Sequence, residues 1–112
     1  MKRFIDEGNV IAIVYDDAIL AMMNVYCRFI ETKEAYINNV EVAQEYQGFG
    51  LSKLLMDKSF EVIKDHGFQS AVLHVAKDNS AAVELYLKYK FHFTGEEKVS
   101  GETILHEMKK VL

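Results

Sequence analysis

Apolar residues in the first third of the chain form short runs that are rich in β-branched and aromatic side chains. Residues 10–15 and 35–42 form two such runs, and a longer one extends from Ile19 to Ile30. The pair Asp16-Asp17 supplies turn chemistry between the first run and the longer one. These patterns predict three strands, the first two of which are joined as a hairpin.

The middle of the chain changes from strand-like runs to helical spacing. Apolar residues recur every three or four positions from Leu51 to about His66, which predicts an amphipathic helix that ends at Gly67. Residues 70–75 are almost continuously apolar, as in a strand that is buried on both faces and paired in parallel. Together with strand 35–42 they predict a βαβ unit with a right-handed crossover. The predicted core face of the helix carries Leu51, Leu54 or Leu55, Val62 and Ile63, with Ser59 at its edge.

The last third predicts a second helix and a closing hairpin. Asp78-Asn79-Ser80 supplies a helix N-cap. Residues 91–99 and 102–112 flank the turn residues Ser100-Gly101 and predict two paired strands. The helix that starts at this N-cap and precedes the hairpin is indicated by the spacing of Ala82, Leu85, Tyr86 and Tyr89.

Composition narrows the class of protein. The chain has 112 residues, of which half are apolar, and a net charge of −4, so we expect one folded domain, residues 1–112. No basic tract is present, which argues against nucleic acid and anionic membranes as partners. A single cysteine, no apolar run after Met1 and no membrane-length apolar segment predict a cytoplasmic protein.

The stretch Tyr46 to Ser52 joins the third strand to the first helix and contains two glycines. Glycine permits the tight turn and the close backbone approach that an anion requires, and a helix N-terminus adds unpaired N–H groups. These residues therefore suit a phosphate cradle. The alternative, an ordinary strand-to-helix turn, has the same local pattern.

Two blocks of residues, in this order and at this separation, resemble the GNAT superfamily of acyl-CoA-dependent N-acetyltransferases. The first is Gln47-Gly48-Phe49-Gly50-Leu51-Ser52, preceded by Val40-Glu41-Val42. The second runs from Leu73-His74-Val75 through Asn79, Ala82, Leu85, Tyr86 and Phe91. The resemblance covers nearly the whole chain. It implies an α/β fold with a mixed, mostly antiparallel central sheet, a βαβ cofactor-binding unit and a C-terminal hairpin.

The resemblance also implies a co-substrate, acetyl-CoA, and the residues that bind it. Backbone N–H groups of the loop would hold the pyrophosphate, and the pantetheine arm would lie along the strand that contains Val40 and Val42. Asn79 matches a residue that contacts this arm, and Tyr86 matches a tyrosine near the thioester sulfur that protonates the leaving thiolate. The implied cofactor-binding residues are Val40, Val42, Gln47, Gly48, Phe49, Gly50, Leu51, Ser52 and Asn79.

The general base is left open by the sequence. Many relatives carry a carboxylate where this chain has Asn38, and an amide cannot take up a proton at neutral pH. Glu41 and His74 are the two candidates. The alternative for Glu41 is a carboxylate on the strand surface without a catalytic role. The alternative for His74 is a histidine in a buried strand whose polar atoms are hydrogen-bonded within the fold. No metal is expected, because His66, His92 and His106 lack metal-ligand spacing.

Three departures from the family pattern bear on function. Ser52 replaces a glycine or alanine, and Lys90 stands where a glycine usually ends the second helix. Relatives also carry two helices before the first hairpin, whereas residues 1–8 alone precede it here and are interpreted as the last turn of a helix closed by Gly8. We therefore expect a homodimer that covers apolar surface at residues 10–30 and Phe91-His92-Phe93.

Three functions remain distinguishable by experiment. The first is acetyl transfer from acetyl-CoA to a primary amine of a small molecule or a protein. The second is a module that binds CoA or acyl-CoA with little or no transfer. The third is an oligomerisation unit that binds no ligand.

Overall fold

The structure is a computed structural model that describes residues 2–7, 9–29 and 31–112, with side chains at all of these except 2, 3, 5–7, 28, 29 and 39. It consists of seven strands and two α-helices in the described part of the chain. In chain order they are β1 (Lys2–Glu7), β2 (Val10–Tyr15), β3 (Ala18–Phe29), β4 (Glu34–Val42), a 3-10 turn (Gln44–Tyr46), α1 (Leu51–Asp65), β5 (Ser70–Val75), α2 (Ser80–Lys88), β6 (His92–Ser100) and β7 (Thr103–Val111).

The strands form a single mixed sheet in the order β1-β2-β3-β4-β5-β7-β6. Neighbouring strands pair antiparallel except for β4 and β5, which pair in parallel because α1 crosses over between them. The predicted fold class, with a βαβ unit and a C-terminal hairpin, is confirmed.

A β-bulge interrupts β4 shortly before the glycine loop. Met22 pairs with Glu41 and Asn24 pairs with Asn38, so two steps along β3 oppose three steps along β4. The extra residue lies between Asn38 and Glu41 and bends the end of β4. The bulge therefore re-aims the end of the strand that precedes the loop.

Both helices pack on one face of the sheet. Alternate residues of the strands point to this face, because side chains of a strand alternate between its two sides. Leu55, Met56 and Ile63 of α1 are fully buried against them, and Ala82, Val83 and Tyr86 of α2 are half-buried there. The strand residues of this core are Ile11, Ile13, Leu20, Ala21, Met23, Val25, Ala35, Ile37, Ala71, Leu73, Val75 and Met108.

The predicted helical turn at residues 1–8 is wrong. The segment forms strand β1, with its six residues paired antiparallel to β2 from Lys2 opposite Tyr15 to Glu7 opposite Val10. Six ladder positions provide more hydrogen bonds than one isolated helical turn, whose nucleation is unfavourable. Gly8, which was expected to close that helix, lies outside the described residues, as does Ile30 at the end of the predicted second strand.

Two further expectations about burial change. Ser59 is completely buried rather than at the edge of the helix face, and its hydroxyl donates to the carbonyl of Met56 at 2.7 Å. Phe91, expected at a surface, is 2% exposed and packs between Phe60 and Tyr86. Phe93 remains 37% exposed. The core therefore takes one of the two phenylalanines assigned to an interface.

Neither helix combines the length and the apolar character needed to span a bilayer, within the part of the chain that the structure describes.

Candidate active site

A cleft opens where β4 and β5 separate. The two strands pair only from Glu34 opposite Ser70 to Tyr36 opposite Val72, and then diverge. The resulting cleft has a volume of about 290 Å³. Its walls come from both faces of the sheet, so the cleft passes between the strands. They are formed by Ile37, Asn38, Val40, Leu73, His74, Val75, Ala76, Asn79, Ala82, Tyr86 and Leu105.

The glycine loop ends in an uncapped helix N-terminus. Gly48 and Gly50 have φ values of 88° and 78°, in the left-handed region that favours glycine. The first helical bond runs from the N–H of Leu54 to the carbonyl of Gly50 at 3.3 Å. Among the described hydrogen bonds, none uses an N–H from Gly48 to Lys53, and α1 has no side-chain cap and no acidic residue in its first turn. These N–H groups and the helix dipole form a site suited to an anion.

Two loop side chains, Gln47 and Leu51, hold the cradle in place, and a third, Phe49, points away into solvent. The side-chain amide of Gln47 donates to the carbonyl of Val42 at 3.3 Å, which ties the loop to the end of β4. Leu51 is buried in the core beneath the helix start, and Phe49 projects into solvent with 72% exposure. A Cβ atom built at either glycine meets no atom within 4 Å. The space in front of the loop is therefore open.

Asn79, the N-cap residue of α2, and Tyr86 of α2 both line the cleft. The side-chain oxygen of Asn79 caps this helix by accepting from the N–H of Ala82 at 3.4 Å, which leaves its amide N–H₂ as the donor of that side chain. The Tyr86 ring packs edge-on against Phe91, with ring centroids 5.8 Å apart. Burial raises the pKa of the Tyr86 hydroxyl, so this group stays protonated at neutral pH.

Lys90 keeps the conformation of the glycine that it replaces. Its φ is 74°, its N–H donates to the carbonyl of Leu87 at 3.0 Å, and the N–H of Phe91 donates to the carbonyl of Tyr86 at 3.0 Å. This pair of bonds is the Schellman motif that normally has glycine at the left-handed position. Ser52, the other departure, is half-buried in the first turn of α1.

The two candidate bases lie in different places. Glu41 is exposed and lines a separate cavity of about 510 Å³, together with Met22 and Gln47. His74 is half-buried and lines the cleft with Tyr86. The structure therefore brings His74, but not Glu41, into the cleft with Tyr86.

His74 is linked to two residues that sequence reasoning missed. The Tyr36 hydroxyl is hydrogen-bonded to His74 Nδ1, and the two rings lie with centroids 5.4 Å apart. On the other side of the ring, Nε2 lies 3.7 Å from a carboxylate oxygen of Glu107. A carboxylate favours a proton on the nitrogen that faces it, which leaves Nδ1 to accept from the Tyr36 hydroxyl. No local motif marks Tyr36 or Glu107, because sheet pairing alone aligns them with His74.

The pKa values of this group follow from its surroundings. Burial is the largest cause that lowers the pKa of His74; Lys98 lowers it further, and Glu107 opposes them. Burial, followed by the charge of Glu107, raises the pKa of the Tyr36 hydroxyl. At neutral pH the pair is thus a neutral imidazole and a protonated phenol.

The chain matches one family model and several known proteins. The model is described as the acetyltransferase (GNAT) family and matches residues 2–93. The chain is 39% identical over 83 residues to GCN5-related N-acetyltransferase 7, chloroplastic, of Arabidopsis thaliana, which is 74% of this chain and 30% of that protein. It is 35% identical over 60 residues to N-alpha-acetyltransferase 30 of Schizosaccharomyces pombe, which is 54% of this chain and 40% of that protein. The chain thus matches less than half the length of these two curated relatives.

Solved structures share the fold at low sequence identity. Ard1 from Thermoplasma volcanium superposes with a TM-score of 0.81 at 19% identity, covering 93% of this chain and 70% of that one. A GNAT family acetyltransferase from Elizabethkingia anophelis with acetyl-CoA bound superposes with a TM-score of 0.77 at 18% identity, covering 92% of this chain and 75% of that one.

Proposed function

Because the chain belongs to the acetyltransferase (GNAT) family, we propose that it transfers the acetyl group of acetyl-CoA to a primary amine. The observation that supports the proposal is the cleft between β4 and β5, which Tyr86 and His74 both line. The glycine loop and the uncapped N-terminus of α1 follow β4 in the chain. Acetyl transfer to an amine requires an acid for the leaving thiolate and a group that removes a proton from nitrogen. Tyr86 and His74 have the protonation states that these two roles need.

Acetyl-CoA would bind across the cradle and the cleft. Its pyrophosphate would accept hydrogen bonds from the N–H groups of Gly48, Phe49, Gly50, Leu51 and Ser52. The part of β4 beyond Tyr36 has no pairing with β5, so its backbone near Val40 and Val42 would hydrogen-bond the pantetheine arm as an added strand would.

Asn79 and Gln47 would support this binding in different ways. The Asn79 amide N–H₂ lies on the cleft wall and would donate to a carbonyl of the arm. Gln47 would act indirectly, since its side chain fixes the loop to Val42.

The chemistry needs two proton movements. His74 would take one proton from the acceptor ammonium, and the neutral nitrogen would attack the acetyl carbonyl. As the C–N bond forms and the C–S bond breaks, the sulfur would take the Tyr86 hydroxyl proton. The second nitrogen proton restores Tyr86 through solvent, and the His74 proton passes to solvent. Glu41 has no role in this scheme, because it lines a different cavity.

Two measurements test the proposal. Isothermal titration with acetyl-CoA should show binding, and a thiol-release assay across a panel of primary amines should show turnover. Binding without turnover on any amine would replace the transferase with an acyl-CoA-binding module. Absence of binding would also remove the cofactor site.

A further inference from the structure

A second groove lies on the sheet face away from the two helices. It has a volume of about 290 Å³ and lies over the paired segment of β4 and β5, up to the last pair, Tyr36 opposite Val72. Its walls are mostly apolar, contributed by Ala35, Val72 and the Tyr36 ring. Thr32, Glu34 and Glu107 complete the lining.

The Tyr36–His74 hydrogen bond joins this groove to the acetyl-CoA cleft. Tyr36 lines the groove, His74 lines the cleft, and the hydroxyl of the first is bonded to Nδ1 of the second. A molecule in the groove would thus contact Tyr36, whose hydroxyl is bonded to the imidazole that lines the cleft. This hydrogen bond connects the two cavities.

The charges in the groove favour a cation. Glu34 is neutralised by Lys109, whose ammonium lies 2.7 Å from its carboxylate. Glu107 accepts from the Thr94 hydroxyl at 2.9 Å, and the basic group that lies within 4 Å of it among the described side chains is the neutral His74. Lys98 acts on His74 through its charge but makes no described ion pair with Glu107. The groove therefore carries one carboxylate, Glu107, whose charge is not cancelled by any ion pair among the described side chains.

We propose that this groove binds the acceptor as a primary ammonium group on an apolar carrier, with Glu107 as its anchor and Tyr36 as the first proton acceptor. This inference rests on the proposed acetyl transfer and deepens it. The Tyr36 oxygen takes a proton from the ammonium nitrogen while its own hydroxyl proton moves to His74 Nδ1. The products of this step are a neutral amine, an intact Tyr36 and an imidazolium that faces the Glu107 carboxylate.

The anchor is tested by Glu107→Gln, which removes the charge and keeps the size. Its matched control is Glu97→Gln, because Glu97 also faces a histidine from the same hairpin, at 3.8 Å from His106, but lies outside the groove. The acceptors are 2-phenylethylamine and the amidated peptide Phe-Gly-Gly, with amidated Asp-Gly-Gly as the repelled comparison. Loss of a charged hydrogen bond should raise the acceptor KM at least about tenfold in Glu107→Gln. Glu97→Gln should leave it unchanged, and the acetyl-CoA Kd should be the same in both.

The two Phe-like acceptors distinguish the source of the amine. Both should be used at least about tenfold better than the Asp peptide, and the one with the larger kcat/KM identifies a small molecule or a peptide N-terminus as the source. Equal use of the Asp peptide would overturn the inference.

Tyr36→Phe tests the proton path. The ring remains, so the fold and the acetyl-CoA Kd should be retained, while kcat at neutral pH falls at least about tenfold and the acid limb of its pH profile moves. If Glu107→Gln leaves the acceptor KM unchanged and Tyr36→Phe leaves the pH profile of kcat unchanged in an active transferase, the acceptor does not bind in the groove. The proposed function would then still stand. A protein that acetylates no amine of the panel overturns the proposed function itself.

Discussion

Tyr86 serves the core and the cleft with one side chain. Its ring packs on Phe91, and Tyr86 also lines the cleft. Removing the hydroxyl oxygen while keeping the ring should therefore separate the two roles. Burial raises the pKa of this hydroxyl and keeps it available as an acid across the neutral range. The same burial means that the ring contributes to the core. A tyrosine at this position is therefore not by itself evidence of a catalytic role.

Tyr86→Phe should lower kcat by about 10²-fold or more, because general acid catalysis contributes 10²–10⁴-fold in typical enzymes. The acetyl-CoA Kd and the melting temperature should change little. Tyr89→Phe is the control, since Tyr89 lies just beyond α2, packs on Phe60 and does not line the cleft. Steady-state kinetics decides, and full turnover in Tyr86→Phe would leave Tyr86 with a core role only.

His74 should set the acid limb of the pH profile. Its pKa is lowered by burial, so the neutral form that accepts a proton persists below the ordinary histidine value of about 6.5 and is lost as the pH falls further. We expect kcat/KM to decline with an apparent pKa below about 6.5. In His74→Gln, residual activity should lack this limb. An unchanged limb in the variant would assign the titration to another group.

At the scale of elements, the glycine loop and α1 act together. The loop contributes left-handed glycines, and the start of α1 contributes N–H groups that none of the described hydrogen bonds uses. A helix N-terminus that follows a glycine loop is suited to an anion such as a pyrophosphate. The β4 bulge belongs to the same unit, because it bends the strand just before the loop.

Gly50→Val should weaken acetyl-CoA binding at least tenfold, about 1.4 kcal/mol. Gly101→Val is the matched control: Gly101 has a φ of 61°, its Cβ would also meet no atom within 4 Å, and it lies in the distant β6–β7 turn. Both variants should lose at least about 1–2 kcal/mol of stability from the left-handed conformation. Titration calorimetry and thermal melts separate the effects, and equal acetyl-CoA affinities would argue against the phosphate cradle.

The end of α2 stores strain at Lys90. A lysine with a φ of 74° occupies a position at which glycine costs nothing sterically, and the flanking hydrogen bonds already have the Schellman pattern. Lys90→Gly should therefore raise the free energy of unfolding by up to about 1 kcal/mol, after the extra chain entropy of glycine. Thermal melts measure this, with Lys88→Gly, inside the helix, as a control that should be destabilised. A lower melting temperature for Lys90→Gly would contradict the strain.

At the scale of the whole molecule, the sheet has unequal faces. Both described helices cover one face, and the other carries the groove lined by Tyr36 and Glu107. Apolar side chains remain in contact with solvent beside the turn between β2 and β3, where Tyr15 is 47% and Ile19 is 57% exposed. Surfaces of this kind are commonly covered by a second copy of a chain.

We predict a homodimer that buries Tyr15 and Ile19 and leaves the two cavities of the site open. Light scattering at tens of micromolar should give twice the mass of one chain, and Ile19→Lys should return it to the mass of one chain. Val99→Lys is the control, because Val99 is 71% exposed on the opposite edge of the sheet. A single-chain mass for the unaltered protein would contradict the prediction.

Features that depend on neighbouring residues were predictable from the sequence. The bounds of β2 and β5 match the prediction, and α1 ends within one residue of it, because apolar period and terminal glycine act over a few residues. The glycine loop before α1 and the Asn79 cap of α2 are likewise local, since each depends on the conformation or the hydrogen bond of one turn. The sequence therefore determined the elements from β2 to β7 and the position of the glycine loop, but not β1.

Features that depend on strand register were decided by the tertiary structure alone. Tyr36 and His74 are 38 residues apart and meet because three pairs between β4 and β5 align them before the strands diverge. Glu107 joins them through the pairing of β5 with β7, and β1 is a strand because β2 offers it a ladder. One residue of slip in any of these registers would send the side chains to the other face of the sheet. Local patterns do not encode that choice. The sequence therefore left both His74 and Glu41 as candidates, whereas in the fold His74 lines the cleft with Tyr86 and Glu41 lines a different cavity.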